Sequence, residues 1–562
     1  MPAGVTLVTL VLRLLTAASG PTDWDSAQYA SAVHHFDVTH GEPQPPGYWL
    51  YVESGRLVAH LTGLGTVHSL VVVAALASAL GAGLTSVAGR DLGGWWVGLA
   101  AGIVIATSPF AWFSGSVVAT YSFDMVACPL LIILAWRARP GTWHGVAAAG
   151  ALGVLAGFRQ SILQSFLILA LIAVVGSTRR WPRLGLTVLA GVTGIAVWLV
   201  PMIGEQPGGY AAWARATRIE AIGAVRSTSV LDHAAAGSVN LGTFAGYTIV
   251  ALAPLALLTM VATVALGIRR LVRTTPPPRM EQTPRLDAEP HLQPRPPEWI
   301  RPWFQSRAAI LAGAVVPPML LVSLVEFAKG GYLLAYFPAV VIALLMPVAA
   351  LVRPRTAGSR PSVIGLAVIS VGVALVALLG DQRFVSGDGV LPQRQVRASG
   401  SLWLVQPRYQ APYADTSQAI RTADDIDAAL RGLGPSIRSG RDVVALDTLD
   451  GGATIYRNAG WALPDDRVTL IEPGQMLYNQ LHGALYYSSG ATVPVGPAGS
   501  LILVASPALP GLTSLVAQGY ALPVITPRPI GGYGVWQILP GVGILGIHIV
   551  QKAGPRPLGT GI

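Results

Sequence analysis

TVHSLVVVAALASALGAGLTSVAGRDLGGWWVGLAAGIVIATSPFAW, residues 66–112, decides the fold class. Two apolar runs, 67–87 and 95–112, are each long enough for a bilayer, and the charges between them are confined to Arg90 and Asp91. A span needs about 20 predominantly apolar residues, somewhat fewer where aromatic or charged anchors flank it. The same pattern recurs along the chain at 5–18, 117–136, 184–203, 241–268, 308–325, 333–352 and 363–379, with a shorter pair at 146–157 and 161–175. About eleven spans follow. The first run resembles a signal peptide, but it has no basic leader, carries Arg13 in its middle and is followed by further spans, so it reads as an anchor.

Composition agrees. Of 562 residues, 11% are Asp, Glu, Lys or Arg and 52% are hydrophobic, with a mean hydropathy of +0.55; a soluble chain has about 25% charged residues. The net charge of +10 would suggest nucleic acid in a soluble protein, but here the basic residues sit in short loops. Arg137, Arg139, Arg179, Arg180, Arg183, Arg269, Arg270, Arg273, Arg353 and Arg355 fall on one side, which places that side and the amino terminus in the cytoplasm. The only lysines are Lys329 and Lys552, and the single cysteine, Cys128, excludes an intramolecular disulfide and a Cys-ligated zinc. With no organelle signal in an Arg-rich chain, a bacterial plasma membrane is the expected location.

Residues 274–302 are polar and Pro-rich and read as a cytoplasmic linker loop. Past residue 380 the long apolar runs stop. RDVVALD, DRVTLIE and SLILVAS alternate with the amphipathic ADDIDAALRGL, so 381–552 reads as a small extracytoplasmic α/β domain and 553–562 as a tail. VWQILPGVGILGIHIV is broken by Pro540, Gly541, Gly543 and Gly546, which favours strands over a twelfth span.

Acidic and polar residues concentrate in the first outer loop, 21–66. Asp23 and Asp25 follow the first span; such a pair can act as a general base, hold a divalent cation or cap a helix. Together with Trp24 they spell DxD, which is weak evidence without a nucleotide-binding sheet before it. His34, His35, His40, Asp37 and Glu42 offer proton-transfer or metal groups, or a solvated surface, and match no metal spacing. Arg159 lies between two short apolar helices, where a charge is costly in lipid, so it faces a polar cavity or a lipid phosphate, or snorkels to the interface. Asp124, near the outer end of a span, points into the same cavity or pairs with a neighbouring helix. In GEQPGGYAAWARATRIEAIGAVRS, Glu205, Arg215, Arg218, Glu220 and Arg226 read as an amphipathic surface helix, whose arginines face solvent or headgroups or bind donor phosphate.

The order of one span, an acidic D-small-A-x-Y helix (Asp25 to Tyr29) and PPGYWLY at 45–51 resembles the GT-C glycosyltransferases, especially the aminoarabinose transferase and protein O-mannosyltransferase families. GALGVLAGFRQSILQSFLILAL at 150–171 resembles their short helix pair with a basic residue at the turn. EFAKGGYLLAYFPAVVIALL at 326–345 resembles their outer hairpin, giving Lys329, Tyr332 and Pro338. The resemblance covers residues 1–380. It implies transfer of a sugar from a polyprenyl-phosphate donor to a lipid, glycan or protein acceptor at the extracytoplasmic face, with inversion. Asp25 would be the catalytic base, Asp23 its partner, and Arg159, Lys329 and Tyr332 the donor-phosphate site; Asp124, His40, Glu42 and Tyr48 would line the cavity. Ser26 stands where many relatives have a second acid, which counts against metal binding; a divalent cation is the one possible cofactor, with its ligands unknown. A lipid or solute transporter is the alternative, disfavoured by the lack of an internal repeat of spans; a non-catalytic membrane scaffold is another.

Overall fold

The computed structural model describes residues 2–178, 181–230, 303–325, 330–352 and 416–447, with parts of 240–268 and 396–403 and most of 458–551. Among the described residues three helices are long and apolar enough to cross a membrane, α4 (Thr66–Gly93), α10 (Trp181–Glu205) and α12 (Arg307–Leu324), and a bent pair over Trp95–Ser116 makes a fourth if it is one broken span. Shorter apolar helices accompany them: α1 (Pro2–Leu15), α8 (His144–Leu155), α9 (Ser161–Ser177), Leu255–Leu266 and the helix α13 (Phe337–Val352). The expected span at 363–379 and the linker at 274–302 lie outside the described residues.

α4 is the hub. It is rich in Ala, Gly and Ser, which let neighbouring backbones approach closely without lipid having to be displaced by bulky side chains. A Cβ on Gly81 would stand 2.9 Å from the backbone oxygen of Met125, and one on Gly98 would stand 2.4 Å from that of Ser86. α8 and α10 meet in the same manner, Gly153 against the Gly191 carbonyl and Gly194 against that of Gly150.

Two expected spans are not single unbroken helices over the residues predicted for them. Residues 95–112 form two helices, α5 (Trp95–Thr107) and α6 (Pro109–Ser116), because Ser108 precedes a proline and is extended (φ −61, ψ 129). The carbonyls freed at the end of α5 are met from α1: buried Arg13 donates to the Ala106 carbonyl (2.8 Å) and to Ser78 Oγ (3.2 Å), with its guanidinium over Trp112. The span expected at 117–136 becomes helical only at Ser122, giving α7 (Ser122–Arg137), and 117–121 forms a non-helical link between α6 and α7.

The first outer loop folds as α2 (Trp24–His34), a 3-10 turn at Val38–His40, and α3 (Trp49–Thr62). α11 (Gly209–Thr228) follows α10 and covers this loop: Trp213 Nε1 donates to the Pro46 carbonyl, and Trp49 Nε1 to Glu205.

The carboxy-terminal unit is α/β. Helix α14 (Thr416–Leu433) precedes strands β1 (Val443–Asp447), β2 (Val468–Glu472), β3 (Tyr486–Ser488), β4 (Thr492–Val495), β5 (Leu501–Ala505), β6 (Ala521–Pro523) and β7 (Gly534–Ile538). Six of them form one sheet in the order β3-β2-β1-β5-β7-β6, parallel through β5 and antiparallel beyond. Strand alternation sends Val444, Leu446, Ile502 and Val504 toward α14, and Val443, Ala445, Leu501 and Leu503 to the opposite core. The glycine-broken stretch near the end is β7 followed by Gly543–Ile544 and Ile547–Gln551, all strand.

Candidate active site

Asp23 is the N-cap of α2. Its Oδ1 accepts from the Ser26 amide (2.8 Å) and lies 2.5 Å from Ser26 Oγ, which is also 3.0 Å from the Val118 carbonyl. Ser26, the departure from the acidic pattern, thus closes the cap and fastens α2 to the link at 117–121. Asp25 and Tyr29 are four residues apart and share a helix face. The Tyr29 hydroxyl is 3.4 Å from Thr120 Oγ1 and accepts from Gln44 Nε2 (3.0 Å); burial pushes its phenol well above the ordinary range.

These groups surround a hollow of about 50 Å3 that also takes in Arg159, Tyr48, Tyr121 and Tyr332, room for a few waters. The hollow therefore brings Asp23 and Asp25 to Arg159 and Tyr332 across more than 300 positions of sequence. Arg159 is buried. Its guanidinium stacks on Tyr121 (4.3 Å) and Tyr332 (5.1 Å), Nη1 donates to Thr120 Oγ1 (3.2 Å), and Nε lies 3.1 Å from Asp124 Oδ2. Nε is buried without a hydrogen-bond partner among the described residues, its contact with Asp124 being an ion pair.

The other candidates stand elsewhere. Asp124 is behind Arg159 as its ion-pair partner and does not line the hollow. His40 and Glu42 do not line it either, because a separate network draws them away: His40 Nδ1 pairs with Asp37 (2.6 Å), and Glu42 with His35 (3.0 Å) while its backbone bridges Asp37. Burial alone would raise the Asp37 carboxyl, but hydrogen bonds from Thr39, Gln206 and His40 outweigh it and hold it at about 2. His34 faces Thr66 and Trp461. Arg215 and Arg218 lie on α11, away from the hollow, and Lys329 is outside the described residues.

A divalent cation finds an incomplete donor set here. One oxygen of Asp23 is committed to the helix cap, and among the described residues no group of three His, Cys, Asp or Glu side chains is placed to hold a metal ion. Gln44, Thr120 and Tyr121 belong to the site but are not evident in the sequence. Thr120 and Tyr121 sit inside an apolar run, and the useful signal was the polar TYS break at 120–122.

No family model and no curated protein matches the chain. Solved structures do. ArnT from Cupriavidus metallidurans bound to undecaprenyl phosphate superposes with a TM-score of 0.50 over 99% of both chains at 15% identity. An oligosaccharyltransferase from Archaeoglobus fulgidus matches at a TM-score of 0.43 and 11% identity, over 83% of this chain and 64% of that one. The chain shares the fold of this ArnT along its whole length.

Proposed function

We propose that this protein transfers a sugar from a polyprenyl-phosphate donor to an acceptor hydroxyl or amine at the extracytoplasmic membrane face. The observation that carries the reading is the common hollow of Asp25, Arg159 and Tyr332. Asp25 takes the acceptor proton as the nucleophile attacks the anomeric carbon, and the bond from that carbon to the phosphate oxygen breaks with its electrons leaving on phosphate. Arg159, held rigid between Tyr121 and Tyr332, binds that phosphate through its guanidinium and offsets the charge of the leaving group. Lys329 would add a second cation. Attack opposite the leaving phosphate inverts the anomeric centre. The match to an ArnT bound to undecaprenyl phosphate supports a lipid-linked donor.

The test is incubation of membranes with radiolabelled polyprenyl-phosphate pentoses, hexoses and amino sugars. Asp25→Asn should lower transfer by about 10²- to 10⁴-fold while the protein stays folded and inserted. Full activity of the purified, reconstituted variant would remove Asp25 from the mechanism.

A further inference from the structure

Residues 16–23 join α1 to α2, the helix that Asp23 caps and that bears Asp25, and the carboxy-terminal unit grips residues 19–21 of this link. The amides of Ser19 and Gly20 both donate to Oδ1 of Asp424 on α14, at 2.9 and 2.8 Å. Asn458, buried, donates from Nδ2 to the Pro21 carbonyl (2.9 Å). Gly20 passes so close to α14 that a Cβ there would stand 2.8 Å from that of Asp427. At the far end of α2, the His34 ring stacks on Trp461 (5.8 Å between centroids). From the membrane side, the amide of Ala18 donates to the Ser116 carbonyl (2.8 Å) and Ser26 meets Val118.

A link with no regular structure of its own has little to fix its conformation, and two successive amides on one carboxylate oxygen are a charge-assisted anchor. The partners are about 400 positions apart in the chain, so the anchor forms only when the α/β unit is docked. We propose that Asp424 is a positioning residue: through Ser19 and Gly20, with Asn458 on Pro21, the α/β unit sets where Asp23 and Asp25 stand against the hollow. Asp424 does not itself line the hollow. The inference rests on the transfer reading above.

The test compares full-length, purified Asp424→Ala, Asp424→Asn and Asp25→Asn, using the polyprenyl-phosphate sugar that the native protein turns over. Asp424→Ala should lower kcat by about 10- to 100-fold, the scale of a small misplacement of a reacting group, with donor KM unchanged because Arg159 and Tyr332 are untouched. Asp424→Asn keeps an oxygen for both amides and should retain most of kcat. In hydrogen exchange, amides at 19–26 should lose protection in the Ala variant and keep it in the Asn variant. Native kcat or native protection in Asp424→Ala, a matching rise in donor KM, or an Asn variant as poor as the Ala variant would each overturn the proposal. If Asp25→Asn is inactive while Asp424→Ala is native-like, the anchor alone fails. If Asp25→Asn is fully active, the transfer reading fails, and hydrogen exchange still decides whether the anchor exists.

Discussion

Arg159→Ala removes the only cation lining the hollow among the described residues, and it acts twice. Asp124, 2% exposed, loses the guanidinium 3.1 Å away; a buried carboxylate stripped of its partner destabilises by about 3–5 kcal/mol. A phosphate in the hollow also loses charge-assisted hydrogen bonds worth about 1.5–3 kcal/mol, or about 10- to 150-fold in Kd. A second substitution separates the two effects. In Arg159→Ala/Asp124→Asn no charge is orphaned, so stability should recover to within about 1–2 kcal/mol of native while phosphate binding stays lost. Asp124→Asn alone leaves the guanidinium with its other contacts and without a competing anion, and should bind phosphate at least as tightly as native. The assays are thermal unfolding in detergent and titration with undecaprenyl phosphate in nanodiscs. If the double variant regains binding together with stability, or if Asp124→Asn weakens binding as much as Arg159→Ala, Arg159 does not hold the donor phosphate.

Asp37 gives the first loop an acid-sensitive joint. Its folded pKa of about 2 lies below the ordinary 3.8, so its contribution, about 2 kcal/mol, is complete above pH about 4 and is lost as pH falls through about 2. Thermal unfolding should show that slope, and Asp37→Asn should flatten it; an unchanged slope would assign the acid sensitivity to other groups. Gly153→Leu should push α8 from α10, since even a Cβ would lie 2.6 Å from the Gly191 carbonyl. The expected loss is about 1–3 kcal/mol or more, and a native unfolding temperature would show that the two helices are not packed through these glycines.

The helical architecture was legible because lipid demands long apolar runs, and Arg159 was legible because a charge between two such runs has few explanations. What failed did so for definite reasons. Residues 95–112 satisfy a hydropathy window throughout, and only the Ser108–Pro109 step marks the break. VVATY at 117–121 is apolar enough to pass as the start of a span, so the backbone that carries Thr120 and Tyr121 to the hollow was hidden. The pairing of Asp124 with Arg159 is a tertiary contact between residues 35 positions apart, invisible to any periodicity. His40 and Glu42 were drawn toward the cavity by proximity in sequence, whereas the Asp37 network claims them. In the α/β unit, the short apolar, β-branched runs in RDVVALD and SLILVAS specified the strands, but not the order of the sheet.

α8 has 12 residues, about 18 Å of helix at about 1.5 Å per residue, against a hydrocarbon thickness of about 30 Å. It packs beside the longer α9 and α10, and Arg159 stands in the turn that joins it to α9. A short apolar helix at a lipid-facing wall is accommodated by local thinning of the bilayer among other routes. On the proposed reading, a thinned leaflet would bring the carrier's phosphate to the depth of the guanidinium without lifting the isoprenoid from its leaflet. Reconstitution into progressively thicker acyl chains should raise the donor KM, and insensitivity to thickness would refute this account of how the lipid reaches the site.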